Sequence, residues 1–344
     1  MVPAISIIVP VYNTKEYLER CVSSLTMQTM ANLEICLIDD GSTDGSGELC
    51  DRLSVGDSRI RVLHKVNEGQ GIARNAGIEM ATGVYIAFLD SDDYWDTDGC
   101  RQILERLQET EADVCAFGYC KESEQGFFQW SPSIRKTCYE GDEIRQNFVL
   151  HFFGDDPYDD DLRGVSACMS CYRRSIVMEH QIRFVSEREV LSEDTVFNLE
   201  FCKHCSAVAT LPDVIYHYVM HRSSHTHRMD ETRLQRTLEF CELLREYAEE
   251  YGMMARMDVV GLSNVDVERR LQNTIWISVM EMIRQYARQK DGLQQIRNFL
   301  KRKEVQSNAE YMSRQLLGNK QKLLCNSVRH NNALAVYWMG RLHS

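Results

Sequence analysis

The stretch Tyr85-Ile86-Ala87-Phe88-Leu89-Asp90-Ser91-Asp92-Asp93-Tyr94-Trp95 decides how this chain is read. An apolar and aromatic run stops abruptly at three carboxylates within four positions. That pattern predicts a buried strand whose carboxyl end delivers acid groups to one edge of a sheet. In open α/β sheets, ligands bind at that edge. Carboxylates so crowded repel one another, which predicts a hard divalent cation, Mg²⁺ or Mn²⁺, among them.

Working backward, strands and helices alternate. Ile5 to Val9 predicts a strand, closed by Pro10-Val11-Tyr12-Asn13. A helix comes next, with Asn13 or Thr14 as its cap, Glu16 placed for a capping box, and Leu18, Cys21, Val22 and Leu25 as its buried stripe. Glu34 to Ile38 is a second strand ending at Asp39-Asp40-Gly41-Ser42-Thr43-Asp44-Gly45, and Arg61 to His64 is a third. Gly69 to Ala81 is a helix entered through a glycine-rich turn. Strand and helix at this spacing mean a doubly wound, mostly parallel, Rossmann-like α/β sheet.

Working forward, the regularity fades. Thr97 to Leu107 reads as helix, Asp113 to Tyr119 as strand and Phe127 to Trp130 as a hairpin arm, while residues 154–164 form an acidic loop. From about Asp230 the pattern is helical, with Val267, Leu271, Ile275, Val279 and Ile283 marking an amphipathic helix. The expected division is 1–95, 96–228 and an all-helical region 229–344. Residues 311–344 carry Arg314, Lys320, Lys322, Arg329 and Arg341 but no Asp or Glu. This tail is expected to lie on anionic lipid, to pack against the rest of the chain, or to meet a second copy in a homo-oligomer.

The 344 residues are 44% hydrophobic, enough for a sizeable core and a second subdomain. A net charge of −12 argues against nucleic acid as a partner. The chain runs from Met1 directly into a strand pattern without a basic leader, and no apolar run is long enough to span a bilayer. A cytoplasmic protein is expected, peripheral at most at the inner membrane face. Its 13 cysteines then read as reduced, mostly core thiols. Cys168-x₂-Cys171 and Cys202-x₂-Cys205 are the alternative, a zinc site; the 30 residues between them exceed a usual zinc ribbon.

Two acidic strand ends, Asp39-Asp40 and Asp90-Ser91-Asp92-Asp93, share one sheet edge with Pro10-Val11-Tyr12-Asn13. A carboxylate beside an aromatic can accept a nucleobase N–H, while Asp-Ser-Asp-Asp can hold a metal against phosphate. Asp44, next to Gly45, reads equally well as a helix cap. The EF-hand-like run from Asp40 to Asp51 comes after a strand rather than a helix and ends in Asp instead of Glu, so it fails. Gly69-x-Gly71 has Arg74 where a dinucleotide turn needs a third glycine, and it fails too.

Pro10-Val11-Tyr12-Asn13, Ile38 to Asp44, Asn67-Glu68-Gly69-x₃-Ala73-Arg74-Asn75-x-Gly77 and Phe88 to Asp93, in that order, resemble the family 2 glycosyltransferases of the GT-A fold, over about residues 4–225. The resemblance implies that Pro10 and Tyr12 line a nucleoside pocket, that Asp40 accepts the uracil N3–H, and that Arg74 or Asn75 faces the nucleoside or diphosphate. Asp90 and Asp92 match the family's D-x-D, with Asp92 the first choice for metal, Asp90 the second and Asp93 in support. Ser192-Glu193-Asp194 matches the family's acidic pair ahead of a helix, with Asp194 as catalytic base; capping through Ser192 is the alternative. His217-Tyr218-x₂-His221-Arg222-Ser223-Ser224-His225 matches a region that closes over the diphosphate. There Arg222 would pair with phosphate, and His221 or His225 is either a metal ligand or a solvated loop residue.

Neither a Q-x-x-R-W nor a membrane span comes after these motifs, unlike in processive relatives. Ser166 to Arg174 lacks the Trp and Lys that the family usually places before Tyr-Arg-Arg. The resemblance thus implies a metal-dependent, inverting transfer of one sugar, from a UDP-sugar donor to a hydroxyl of a glycan or lipid-linked glycan in surface polysaccharide synthesis. The rivals are a non-catalytic nucleotide-sugar-binding scaffold and a sugar nucleotidyltransferase. The latter needs a Gly-rich Arg/Lys loop after the first strand, where Pro10-Val11-Tyr12-Asn13 stands instead.

Overall fold

A computed structural model describes residues 2–123, 128–130, 135, 137–155, 166–220, 230–253, 264–315 and 319–342. The chain divides into two compact units, Met1–Phe152 with Asp160–Ser224, and Phe153–Asp159 with His225–Ser344.

The first unit is built on one sheet. Strands β1 (Ile5–Val11), β2 (Leu33–Asp39), β3 (Ile60–His64) and β4 (Tyr85–Phe88) run parallel in the order β3-β2-β1-β4. Helices α1 (Lys15–Thr26), α2 (Ser46–Gly56) and α3 (Gln70–Met80) make the crossovers. All seven residues of β1 and of β2 are buried, as expected for strands covered on both faces. Pro10 stands inside β1 opposite Ile38. The carbonyls of Ile8 and Val11 accept from Leu89 and Asp40, so position 10 turns toward β4, whose ladder has already ended at Phe88. The missing N–H of proline therefore breaks no ladder bond.

Beyond β4 the sheet becomes mixed. Strands β5 (Tyr94–Trp95), β6 (Val114–Ser123), β9 (Ser170–Arg173) and β10 (Ala207–Met220) extend it in the order β4-β9-β6-β10-β5, with β9 and β5 antiparallel to their neighbours. Two short strands pair outside this path: β7 (Phe128–Trp130) on β6 and β8 (Cys138–Glu140) on β10. Helix α4 (Gly99–Thr110) leads from β5 to β6. Strand β10 bulges between Leu211 and Tyr216, and Gly118 is what permits it, since a Cβ there would stand 2.6 Å from the Asp213 carbonyl. Because β5 pairs at the far side of β10, the Leu89–Asp93 segment runs across the carboxyl edge of the sheet.

Helices α5 (Asp142–Asn147), α6 (Arg174–Glu179) and α7 (Glu193–Cys202) complete this unit. The second unit holds α8 (Arg233–Glu250), α9 (Asn264–Ala287), α10 (Gly292–Phe299), α11 (Lys303–Ser313), α12 (Asn319–Arg329) and α13 (Ala333–Leu342). Val267, Leu271, Ile275, Val279 and Ile283 form the buried stripe of α9, as their spacing predicts. Arg245 pairs with Glu268 at 3.0 Å between α8 and α9. In the tail, Val328 and Val336 are buried, whereas Leu323, Leu334 and Trp338 are each more than half exposed. No helix of the described residues is long and apolar enough to cross a membrane.

The expected capping box of α1 does not form. The Thr14 hydroxyl pairs instead with Ser91 at 2.8 Å, and the first helical N–H, of Lys15, donates to Asp44 at 3.1 Å. Asp44 also accepts from the Ser46 backbone at 2.9 Å, so it ties α1 to α2 and takes the capping role.

Candidate active site

One side chain gathers three carboxylates, of Asp90, Glu193 and Asp194. Arg74 lies in the second turn of α3, only 2% exposed. Its Nη1 donates to Glu193 Oε1 at 2.9 Å and to Asp194 Oδ1 at 2.8 Å; its Nη2 donates to Asp90 Oδ1 at 3.0 Å. The guanidinium sits over the Phe184 ring, 5.2 Å from its centroid, and 3.5 Å from Cys168 Sγ. Burial works against its charge, and the carboxylates of Asp194, Asp90 and Glu193 more than offset that. Nη1 and Nη2 of Arg74, the residue expected to face the donor, thus join the end of β4 to the start of α7, while its buried Nε makes no hydrogen bond among the described residues. Both ends of the Asn75 amide hold the Phe184 backbone at 2.8 Å.

The three carboxylates of the D-S-D-D stretch have separate surroundings. Asp90 Oδ1 accepts from Gln70 Nε2 at 2.6 Å as well as from Arg74, while Oδ2 has the Tyr216 hydroxyl at 3.5 Å. Asp93 is buried, taking the Val219 N–H at 2.8 Å and the Tyr216 hydroxyl. Burial first, then the charges of Asp92 and Asp90, push its pKa well above the ordinary carboxylate range. Asp92 is half-buried, and its backbone carbonyl accepts from Arg20 Nη2 at 2.7 Å. Asp93 is thus an anchor to β10, while Asp90 and Asp92 carry hard carboxylate oxygens at the same strand end. Oxygen donors of this class fit Mg²⁺ or Mn²⁺.

The base candidate is freed from capping by its neighbours. Ser192 caps α7 by accepting from the Thr195 N–H at 3.4 Å, with the two hydroxyls 2.9 Å apart. Glu193 and Asp194 turn to Arg74 instead, and Asp194 Oδ2 accepts the Ser166 hydroxyl at 2.7 Å. Burial and then the charge of Asp194 raise the Glu193 pKa.

At the other acidic end the chemistry is closed. Asp40 Oδ1 accepts from Lys65 Nζ at 2.7 Å and Glu68 N–H at 3.1 Å; Oδ2 accepts from Asn67 Nδ2 at 3.1 Å and Gly69 N–H at 2.9 Å. A carboxylate has about four acceptor positions, and here four donors fill them. Asp40, the residue that the resemblance assigns to a uracil N3–H, thus anchors the Asn67–Gly69 turn. Asp39 likewise holds Ser42 N–H at 3.0 Å and His64 Nδ1 at 2.9 Å. Pro10 is buried in its strand, whereas Tyr12 is 50% exposed.

Several partners escape motif reading. Glu187 accepts the first N–H groups of α3, from Gln70 at 3.2 Å and Gly71 at 3.1 Å, packed against Gly69 at φ +104° where a Cβ would collide with it. Gln70, Ser166, Cys168 and Tyr216 complete the set. Of these, Ser166 and Cys168 fall in the Ser166–Arg174 stretch that the resemblance picks out, without a role attached to them. Arg222, His221, His225 and most of the acidic loop 154–164 lie outside the described residues. The four cysteines weighed for zinc have distinct surroundings. Cys168 faces Arg74 and Asp90, Cys171 is paired in register with Cys115, and Cys205 donates to the Cys202 carbonyl.

The family model described as "Glycosyl transferase family 2" matches residues 6–181. EpsH of Bacillus subtilis (strain 168) is 33% identical over 249 residues, spanning 72% of this chain and 70% of that protein. Among solved structures, S. aureus TarS 1-349 in complex with UDP-GlcNAc superposes with a TM-score of 0.63 at 19% identity, covering 98% of this chain and 91% of that one. The mannosyltransferase PcManGT from Pyrobaculum calidifontis, in complex with GDP-Man and Mn²⁺, gives 0.53 at 14% identity, covering 98% and 87%. With D-S-D-D and Glu193-Asp194 brought onto one guanidinium at the edge of such a sheet, the chain belongs to glycosyltransferase family 2 and has the GT-A fold.

Proposed function

We propose that this glycosyltransferase moves one sugar, with inversion, from a UDP-sugar to an acceptor hydroxyl. The carrying observation is the Arg74 bridge, which holds Asp90 of the D-x-D and Asp194 on one guanidinium. Asp194 accepts the proton of the acceptor hydroxyl as its oxygen bonds to the anomeric carbon. The bond from that carbon to the diphosphate oxygen breaks on the opposite face, and its electron pair leaves with the nucleotide. A positioned base of this kind contributes roughly 10²- to 10⁴-fold. Ser166 and Arg74 orient the carboxylate, and Glu193 stands beside it. Asp92 and Asp90 would hold Mn²⁺ or Mg²⁺, which when bound neutralises the departing diphosphate.

Tyr12 offers an exposed ring to the nucleobase, and Asp40 shapes the adjoining turn; it would take a uracil N3–H only in exchange for one of its present donors. The UDP preference rests on the family resemblance and on the UDP-GlcNAc complex of TarS. A glycan or lipid-linked glycan acceptor at the cytoplasmic membrane face is carried by that resemblance alone. The assembled base and D-x-D weigh against a scaffold without catalysis.

A thermal-shift screen of nucleotide-sugars with Mn²⁺ tests this reading. One donor is expected to raise the Tm, with about 2.7 kcal/mol of stabilisation at one hundred times its Kd. Failure of every nucleotide-sugar to do so would overturn it.

A further inference from the structure

Away from the Arg74 cluster, β6 and β10 bring a thiol, a carboxylate and an imidazole together. Cys120 and Glu122 are two apart on β6 and so share a face, and His217 is the register partner of Cys120 on β10. Cys120 Sγ lies 3.3 Å from His217 Nδ1 and 3.4 Å from Glu122 Oε1, and Nδ1 lies 2.7 Å from Oε1. Cys120 and Glu122 are buried, and His217 is half-buried. Among the described residues, this is the one group of three or more Cys, His and acidic side chains whose ligand atoms all converge closely enough to share an ion.

We propose that Cys120, Glu122 and His217 form a binding site for a borderline-soft divalent cation, zinc foremost, distinct from the carboxylate site at Asp90 and Asp92. The donor set decides the class. One thiolate, one imidazole and one carboxylate suit Zn²⁺, whereas the all-oxygen set of the D-x-D suits Mg²⁺ or Mn²⁺. Bonds of about 2.3 Å to sulfur and about 2.0–2.1 Å to nitrogen and oxygen put tetrahedral ligands roughly 3.4–3.6 Å apart. The two sulfur separations are already there. Only the Nδ1–Oε1 pair must open, by less than an ångström.

The ligands are also held in place beforehand. Tyr94 stacks on the His217 ring, with centroids 4.4 Å apart and planes 9° from parallel, and its hydroxyl donates to Glu122 Oε2 at 2.6 Å. Outer partners of this kind fix ring orientation and carboxylate geometry in metal sites. Binding releases the Cys120 thiol proton to solvent and leaves the imidazole proton on Nε2. The three ligands then carry two negative charges, which the dication balances in a buried place. Since Tyr94 comes directly after Asp93, the ion would clamp the segment that carries the catalytic carboxylates.

Co²⁺ is the probe. The full chain is stripped with chelator, then titrated with Co²⁺ in excess Mg²⁺, so that the hard oxygen site is filled. One equivalent is expected to bring up a near-ultraviolet thiolate-to-cobalt band, which Zn²⁺ then bleaches while raising the Tm. Cys120→Ser and His217→Gln should each lose the band; the second keeps the thiol, so its loss shows that the imidazole is needed. No band in the parent protein, or a band undiminished in folded Cys120→Ser or His217→Gln, would overturn the site.

Discussion

Two strand ends in this molecule carry the same signal, a pair of aspartates at the carboxyl edge, and the fold uses them in opposite ways. At the end of β2, Asp39 and Asp40 are matched donor for acceptor: His64 and Ser42 on one, Lys65, Asn67, Glu68 and Gly69 on the other. At the end of β4, Asp90, Asp92 and Asp93, joined by Glu193 and Asp194, converge where a single guanidinium is buried among them. The first end is electrostatically finished. At the second, burial first and then the neighbouring carboxylates raise the pKa values of Asp93 and Glu193. The proposed chemistry is placed at the second end.

Substitutions can separate the two. The largest effect is expected from Asp194→Asn, which keeps the shape but removes the proton acceptor. Transfer should fall about 10²- to 10⁴-fold, with donor affinity by titration calorimetry unchanged. Arg74→Met should cost about 3–5 kcal/mol in denaturant unfolding, because three carboxylates lose their shared partner. Added Mn²⁺ should recover part of that loss, and no recovery would show that the edge does not take a cation. Asp40→Asn should cost about 1–3 kcal/mol by leaving a buried donor unmatched, with no recovery by Mn²⁺.

The smallest effect belongs to His64. Hydrogen bonds to Asp39 and then Asp51 raise its pKa above 6.5, so its charged form favours the folded state. That contribution is complete below the unfolded value and disappears as pH rises through the raised one. The Tm gap between the parent protein and His64→Gln should be widest at about pH 5.5 and shrink by about pH 8.5. The ring is half exposed, so the gap is small.

Legibility in the sequence tracked the range of the interaction. Alternating strands and helices gave away the β3-β2-β1-β4 half, because period and spacing are local properties. The mixed half did not show itself: β9 is four residues long, and it enters antiparallel between β4 and β6. The D-x-D and Glu193-Asp194 were visible as clusters of charge, but the link between them was not. An arginine on a helix after a glycine turn reads as a ligand-facing cation. Only the fold shows that Arg74 is surrounded by carboxylates from residues 16 to 120 positions away. The hold of Lys65 and of the Glu68 and Gly69 backbone on Asp40 leaves no trace in the motif either.

The central claim, that the β4 end is the metal-dependent donor edge and the β2 end its scaffold, meets its most direct test in one calorimetric titration. UDP is titrated with and without Mn²⁺ into the parent protein, Asp92→Asn and Asp40→Asn. The expected result is that Mn²⁺ tightens binding to the parent protein and to Asp40→Asn but has no effect on Asp92→Asn. The same Mn²⁺-dependent gain in Asp92→Asn as in the parent protein would contradict it.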